Sequence, residues 1–255
     1  MPASDCTILE RMAIFLSREL RDNEVGAWGV GGILPMAAVR LAQHLHAPGL
    51  VIGGERIFNP KPSRLAAGLD DPVLMERAEA IEGFWELFGH WHKGVDFFFY
   101  SGMQIDAYGN LNLHVIGTVA APKLRGPGVA NVSLAQSCGR ILLYATDHEP
   151  RRFVERVDFI TTPGYLTGPG AREAAGLPGE TGPYRVVTTL GVMGYHAQSK
   201  RMMLLATQPG VTVGDVIENT AFKLLLADRV DANPPPDAEE LRILREDVDP
   251  EGLYI

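Results

Sequence analysis

The sequence predicts an α/β protein, a layered, open and mostly parallel sheet flanked by helices. Three observations carry that prediction. Short apolar runs of strand length alternate with stretches of helical period. The first two runs end in glycines, as strand-to-helix junctions of such sheets do. And Val95-Asp96-Phe97-Phe98-Phe99-Tyr100 is too evenly apolar for a strand with one wet face.

The elements follow in order. Residues 4–21 read as an amphipathic helix: Ile8, Met12, Phe15, Leu16 and Leu20 repeat at helical spacing, and Thr7 with Glu10 forms a capping-box pattern. Val25-Gly26-Ala27-Trp28 starts a strand that runs into Gly29, Gly31 and Gly32, after which Pro35 sits in the first turn of a second helix reaching His46. Leu50-Val51-Ile52 is a brief strand closed by Gly53-Gly54-Glu55. A loop with Pro60 and Pro62 spans 56–71, and 73–93 is expected to be helical before the phenylalanine strand.

Further on, 141–144, 159–162, 185–189 and 202–206 read as strands. Residues 163–183 form a glycine- and proline-rich loop, long enough to be functional or interfacial. Residues 212–219 are a short helix, and Asp237 with Glu240 caps a final one behind Asn233-Pro234-Pro235-Pro236. There is no repeat, low-complexity tract or flexible linker, so residues 1–255 are expected to be one domain.

Composition narrows the function. A net charge of −8 argues against a nucleic-acid or anionic-membrane surface. No stretch reaches the roughly 18 apolar residues of a membrane span, and Asp5, Glu10 and Arg11 interrupt any leader-like run. Two unpaired cysteines, Cys6 and Cys138, suit a reducing cytoplasm. The pairs His44/His46 and His90/His92 lack the i, i+4 spacing of a helical zinc site, so no metal is expected.

Three places could do chemistry. The turn at 29–32 either packs strand against helix or aims backbone N–H groups at an anion. Glu55, just past a short buried strand, reads on its own as a solvated loop acid, or as a reactive carboxylate at the carboxyl end of the sheet. The run Ser101-Gly102-Met103-Gln104-Ile105-Asp106-Ala107-Tyr108-Gly109-Asn110-Leu111-Asn112 is a polar, amide-rich loop where open α/β sheets place ligands. It could equally be a turn in which Asp106 and Asn110 bond their own backbone.

That run resembles the Gly-Ala-x-Gln-Ile-Asp-x-x-Gly-Asn-x-Asn loop of class I coenzyme A transferases, above all β subunits of the glutaconate type. The likeness extends over nearly the whole chain. Residues 123–128, His148-Glu149-Pro150-Arg151-Arg152-Phe153, Gly168-Pro169-Gly170-Ala171-Arg172-Glu173 and Gly176-Leu177-Pro178-Gly179 are similar to segments of the same subunits, and Asn131 falls in a small-residue region. Counting from Ala47-Pro48, Glu55 falls where those subunits carry a nucleophilic glutamate.

The resemblance therefore implies Glu55 as nucleophile, with Gly31, Gly32, Gly102, Met103 and Gln104 binding substrate and coenzyme A. It implies no metal or organic cofactor, coenzyme A being substrate and carrier, and an α subunit of similar fold as obligate partner. The substrates would be an acyl-CoA and a carboxylic acid.

Two departures stand out. The family reads Glu-Ser-Gly or Glu-Asn-Gly where this chain has Glu55-Arg56-Ile57, and Met103 replaces a small residue. Transferase-like relatives that open a ring carbon–carbon bond or decarboxylate an acyl-CoA are the alternative, and Gly53-Gly54-Glu55 resembles the Asp-Gly-Glu of the ring-opening hydrolases shifted by one. A non-catalytic scaffold subunit is the third reading.

Overall fold

A computed structural model describes residues 6–255 other than 30–31, 55–56, 69–70, 84, 87–88, 90–93, 129–135 and 253. The chain falls into two compact units, Met1–Phe99 with Pro234–Ile255, and Tyr100–Asn233.

The first unit begins with α1 (Ile8–Arg18). Its cap is reciprocal: the Thr7 hydroxyl accepts from Glu10 N at 3.1 Å, and the Glu10 carboxylate accepts from Thr7 N at 2.6 Å. β1 (Val25–Trp28), α2 (Ile33–Leu45) and β2 (Val51–Gly54) follow, then β3 (Ile57–Phe58), β4 (Ala80–Ile81) and β5 (Phe97–Tyr100). β1 lies between β2 and β5 and is parallel to both, with Val25 beside Val51 and Gly26 beside Phe97. β3 and β4 add antiparallel to the outer side of β2.

Gly26 is dictated by this register, because any side chain there would run into the Phe97 ring. Met12, Ala13 and Leu16 of α1 and Ala37, Ala38 and Leu41 of α2 are fully buried, as their spacing requires. The C-terminal helix Ala238–Ile243, capped by Asp237 as expected, and the turn Leu244–Val248 after it are each held by an ion pair. Arg18 grips Glu240 through Nε and Nη2, both at 2.6 Å, and Arg245 Nε meets Glu10 at 2.5 Å.

The second unit holds β6 (Gln104–Asp106), β7 (Leu111–Asn112), β8 (Val115–Gly117), β9 (Pro122–Arg125), β10 (Arg140–Ala145), β11 (Phe153–Val154), β12 (Gly182–Thr188), β13 (Gly191–Tyr195), β14 (Met202–Thr207) and β15 (Leu225–Ala232). β10 and β12 run parallel, β13 and β14 continue antiparallel, and β15 closes the edge parallel to β14. A small sheet, β11-β6-β7, and a hairpin, β8-β9, complete the unit. The α/β class matches the prediction, as do the parallel pairings of β1 with β2 and β5 and of β10 with β12, in a mixed sheet where β3, β4 and β13 pair antiparallel.

Two elements differ. Residues 73–83 are not the start of a long helix: Pro72–Met75 is a single 3-10 turn capped by Asp71, and Ala80–Ile81 is β4. Glu76 is extended and Arg77 takes φ 49°, so the helix stops where pairing with Phe58 begins. Residues 159–162 form no strand. Phe159 is partly exposed and stacks on His114, and only Thr161 and Thr162 bond to Leu111. Among the described residues, no helix is long and apolar enough to cross a membrane.

Candidate active site

The predicted residues fall in both units. Gly31 and Glu55, with Asn131, lie outside the described residues. Gly32 and Gly54 belong to the first unit; Gly102, Met103 and Gln104 belong to the second.

In the first unit, Gly32 is the N-cap of α2 and donates to Gly29 O at 3.2 Å. No side chain caps this helix, and its first turn has no acidic residue. Its leading N–H groups are therefore unneutralised and suit an anion. The turn is also sterically tight: a Cβ at Gly32 would lie 2.9 Å from Gly29 O and 3.3 Å from Trp28 Cβ. The geometry bears out the packing reading of this turn, in which strand and helix meet closely. β2 ends at Gly54, where a Cβ would sit 2.6 Å from Trp28 Nε1. Glu55 is the next residue in the chain.

In the second unit the amide-rich loop folds into β6, a turn and β7. Asp106 Oδ1 accepts from Tyr108 N, Asn110 N and Asn110 Nδ2 at 3.0, 3.0 and 3.1 Å. This is the self-bonded turn that Asp and Asn favour. Burial pushes the Asp106 carboxyl above its usual range, opposed by these donors. Asn110 then reaches outward: its Oδ1 accepts from Gly164 N and Leu166 N at 2.9 and 3.0 Å, and its Nδ2 donates to Leu166 O at 2.8 Å. This amide ties the start of the long 163–183 loop to the turn, alongside Tyr165 N donating to Tyr108 O at 2.8 Å.

Gln104 is occupied in the same way. Its Oε1 accepts from Asn112 Nδ2 at 2.7 Å and from Asp158 N at 2.9 Å, while its Nε2 lies 3.3 Å from Asp158 Oδ2. Asn112 also donates to Val115 O and accepts from His114 N. The motif's amides are a buried scaffold with its polar groups satisfied.

Gly102 and Met103 share a peptide fixed at both ends. Met103 N donates to Asn112 O at 2.8 Å, and the Gly102 carbonyl accepts from Arg152 Nη1. Arg152 is itself held by a two-point contact with Asp147. Gly102 must be glycine, since a Cβ would fall 2.6 Å from Leu111 Cγ and 2.9 Å from Asn112 O. In this arrangement the Met103 N–H is spent, and the preceding Gly102 N–H donates to no described group. The half-buried Met103 side chain reaches towards Gly126, where a Cβ would meet its methyl at 2.7 Å.

Arg152, Asp158 and Trp28 shape these segments, and sequence reasoning does not single them out for that role. Arg152 is visible in the His148–Phe153 run, but nothing in its spacing shows that it binds Gly102 O. Arg151, by contrast, is exposed and pairs with Glu149.

His148 is buried with Nδ1 2.8 Å from Thr188 Oγ1 and Nε2 3.0 Å from Thr220 Oγ1, and it stacks on Phe153. The Thr220 hydroxyl donates to Val216 O, so it accepts from His148 Nε2–H. Burial lowers this imidazole to about 4, so it is neutral and structural near pH 7. Arg172, also buried, donates to Gly164 O at 2.9 Å and Thr181 Oγ1 at 2.7 Å, bracing the long loop from inside. Among the described residues no cluster of three or more His, Cys, Asp or Glu could hold a metal.

The chain matches the family model described as coenzyme A transferase over residues 9–219. It is similar to the B-type subunit of glutaconate CoA-transferase from Acidaminococcus fermentans, 33% identical over 256 residues covering 96% of this chain and 94% of that one. The crystal structure of that transferase superposes with a TM-score of 0.88 at 30% identity, covering 98% of each chain. The cholesterol ring-cleaving hydrolase IpdB subunit of Rhodococcus jostii is 30% identical over 229 residues, 86% of this chain and 83% of that one. The structure of the decarboxylase AibA/AibB superposes with a TM-score of 0.84 at 25% identity over 98% of each chain.

Proposed function

We propose a function from one premise: the chain belongs to the coenzyme A transferase family. Our reading is the B-type subunit of a heteromeric CoA-transferase, one that moves coenzyme A between an acyl-CoA thioester and a carboxylic acid. The observation that carries it is the end-to-end match to the corresponding glutaconate CoA-transferase subunit, with the Gly102–Asn112 loop included. The family model runs through both compact units, which supports treating residues 1–255 as one functional domain.

In this reading a Glu55 carboxylate oxygen attacks the thioester carbonyl carbon. The C–S bond breaks, giving an acyl–glutamyl anhydride and CoA thiolate. The thiolate attacks the Glu55 carbonyl and expels the first carboxylate, leaving a glutamyl-CoA thioester. A second carboxylate repeats the sequence in reverse and departs as the new acyl-CoA. No electron or metal is needed, and the thioester's energy is retained throughout.

Each tetrahedral state carries an oxyanion, which N–H donors stabilise. Gly102 N–H is the donor we assign, because Met103 N–H is committed to Asn112 O. Gly31 and Gly32, at the uncapped start of α2, are assigned to anionic groups of coenzyme A. Met103 borders the acyl group, and Gln104 acts by holding the loop. The partner is an α subunit of similar fold, the setting is the cytoplasm, and coenzyme A is the only carrier.

A second reading is favoured by one observation: Glu55-Arg56-Ile57 departs from the family pattern, and relatives on this fold include a ring-cleaving hydrolase and a decarboxylase. Label exchange separates the two. The chain, co-purified with its genomic neighbour, is given an acyl-CoA and an isotopically labelled free acid. A transferase carries label into the CoA thioester pool; consumption of acyl-CoA without incorporation assigns a hydrolase or lyase.

A further inference from the structure

Gly102 combines two properties that pull against each other. Close packing demands glycine, since a Cβ would fall 2.6 Å from Leu111 Cγ and 2.9 Å from Asn112 O. Yet glycine leaves the backbone freer to rotate than any other residue does. The residue is buried and its N–H donates to no described group, so no hydrogen bond of its own sets where that N–H points. What holds the segment is Arg152, in the same compact unit.

Arg152 grips the loop with side chain and backbone. Its Nη1 donates to Gly102 O in a charge-assisted bond. Its own carbonyl accepts from Ile105 N at 2.7 Å, where β11 pairs with β6 through Phe153 and Ile105. Asp147 steadies the guanidinium: Nε faces Oδ1, and Nη2 donates to Oδ2 at 3.2 Å. Met103 N donates to Asn112 O at 2.8 Å, so the Gly102–Met103 peptide is pinned at both its carbonyl and its N–H. The neighbouring Arg151 is exposed and pairs with Glu149. Of two adjacent arginines, one faces water and the other is committed to the backbone of the glycine loop.

We propose that Arg152, oriented by Asp147, is a positioning residue: by fixing Gly102 O it sets the direction of the Gly102 N–H that meets the thioester oxyanion. This role rests on the assignment of that N–H to the oxyanion in the proposed reaction. Removing one such donor costs on the order of 10²–10³ in kcat. A misaimed donor forfeits much of that while leaving ground-state binding nearly unchanged.

The test uses the complex of this chain with its partner subunit and compares Arg152→Ala, Arg152→Lys, Asp147→Asn, Arg151→Ala and Leu204→Ala. Arg151 controls for charge; Leu204, fully buried in β14, controls for stability. Folded fraction, kcat and KM for acyl-CoA are measured for each. Arg152→Ala should lower kcat about 100-fold, with KM changed less than about threefold. Arg152→Lys can still donate to Gly102 O but cannot fork onto Asp147, and should stay within about tenfold of wild type. Asp147→Asn should lose about fivefold, the worth of one weakened hydrogen bond.

Millimolar guanidinium should restore part of the lost kcat in Arg152→Ala by taking the vacated place beside Gly102 O. Leu204→Ala should lower the melting temperature and keep its kcat per folded enzyme, and Arg151→Ala should change neither. Should Arg152→Ala fail to fold, Arg152→Lys and Asp147→Asn carry the comparison. An unchanged kcat per folded enzyme in every Arg152 and Asp147 variant would make the pair a structural brace. A raised KM at unchanged kcat would make Arg152 a direct contact of coenzyme A. Either result would overturn the inference. Absence of label exchange in the wild-type complex would instead overturn the transferase reading. The split between kcat and KM, measured on the acyl-CoA turnover that remains, would still decide the role of Arg152, because hydrolysis of a thioester builds the same oxyanion.

Discussion

The two glycine-bearing segments that stand out in the sequence are built on opposite principles. Around Gly102 the backbone is held by polar groups: Arg152 on the carbonyl, Asn112 O on the next N–H, Gln104 bonded to Asn112 and Asp158, and Asp106 bonded to Asn110, which reaches the neighbouring loop. Around Gly32 and Gly54 it is held by packing against Trp28, with no side-chain cap and no acidic group at the helix start. A polar lattice fixes the backbone of the Gly102 segment through buried hydrogen bonds. The glycine turn is tight, and α2 behind it starts without a side-chain cap. Amides that mark the motif in sequence are mostly its scaffold, whereas the less distinctive glycines are fixed by close packing.

The largest expected effect tests the packed side. Glu55→Gln in the assembled complex should lower kcat by on the order of 10⁴-fold with an unchanged melting curve. Intact turnover would return the chain to a scaffold role. Next comes the lattice. Asn110→Ala strips the side-chain amide donor from both oxygens of Asp106 and leaves Gly164 N and Leu166 N without their acceptor, so denaturant unfolding should show a loss of about 3–5 kcal/mol. A loss below about 1 kcal/mol would show that the network is dispensable.

His148 gives the third effect. Its folded-state value, about 4, lies below the ordinary histidine value of 6.5, so the unfolded chain takes up a proton first as pH falls. The stability it contributes is present above about pH 6.5 and is lost between there and about pH 4, a change of roughly 3 kcal/mol. His148→Asn should flatten that part of a pH–stability profile; an unaltered slope would assign the acid sensitivity elsewhere. The smallest effect concerns Met103. Met103→Ala should cost only about 1 kcal/mol in stability, yet admit longer acyl chains in a panel of acyl-CoAs. An unchanged acyl preference would remove Met103 from the pocket.

Legibility in the sequence follows the same division. Local chemistry can be read: the Thr7–Glu10 and Asp237–Glu240 caps, the α1 stripe and the phenylalanine strand each rest on residues close in sequence. Tertiary competition cannot. Residues 78–81 carry a helical composition but pair with Phe58, and Arg77 in a left-handed conformation breaks the helix that Pro72 begins. β15 escapes a reading by period because Asp228, Arg229 and Asp231 give it the charge of a sheet edge rather than the alternation of a half-buried strand. In the site, the positions of Gly102, Met103 and Gln104 come from a family resemblance. That Arg152 and Asp158 complete their bonding depends on contacts about 50 residues away, which no spacing rule reveals.

Whether Glu55 carries coenzyme A is decided by trapping. The complex is incubated with acyl-CoA, reduced with borohydride, and the altered residue is located by peptide mass spectrometry. The expected outcome is reduction of the Glu55 side chain to an alcohol, dependent on acyl-CoA and accompanied by loss of activity. An unmodified Glu55 in a complex that still consumes acyl-CoA would refute the covalent route.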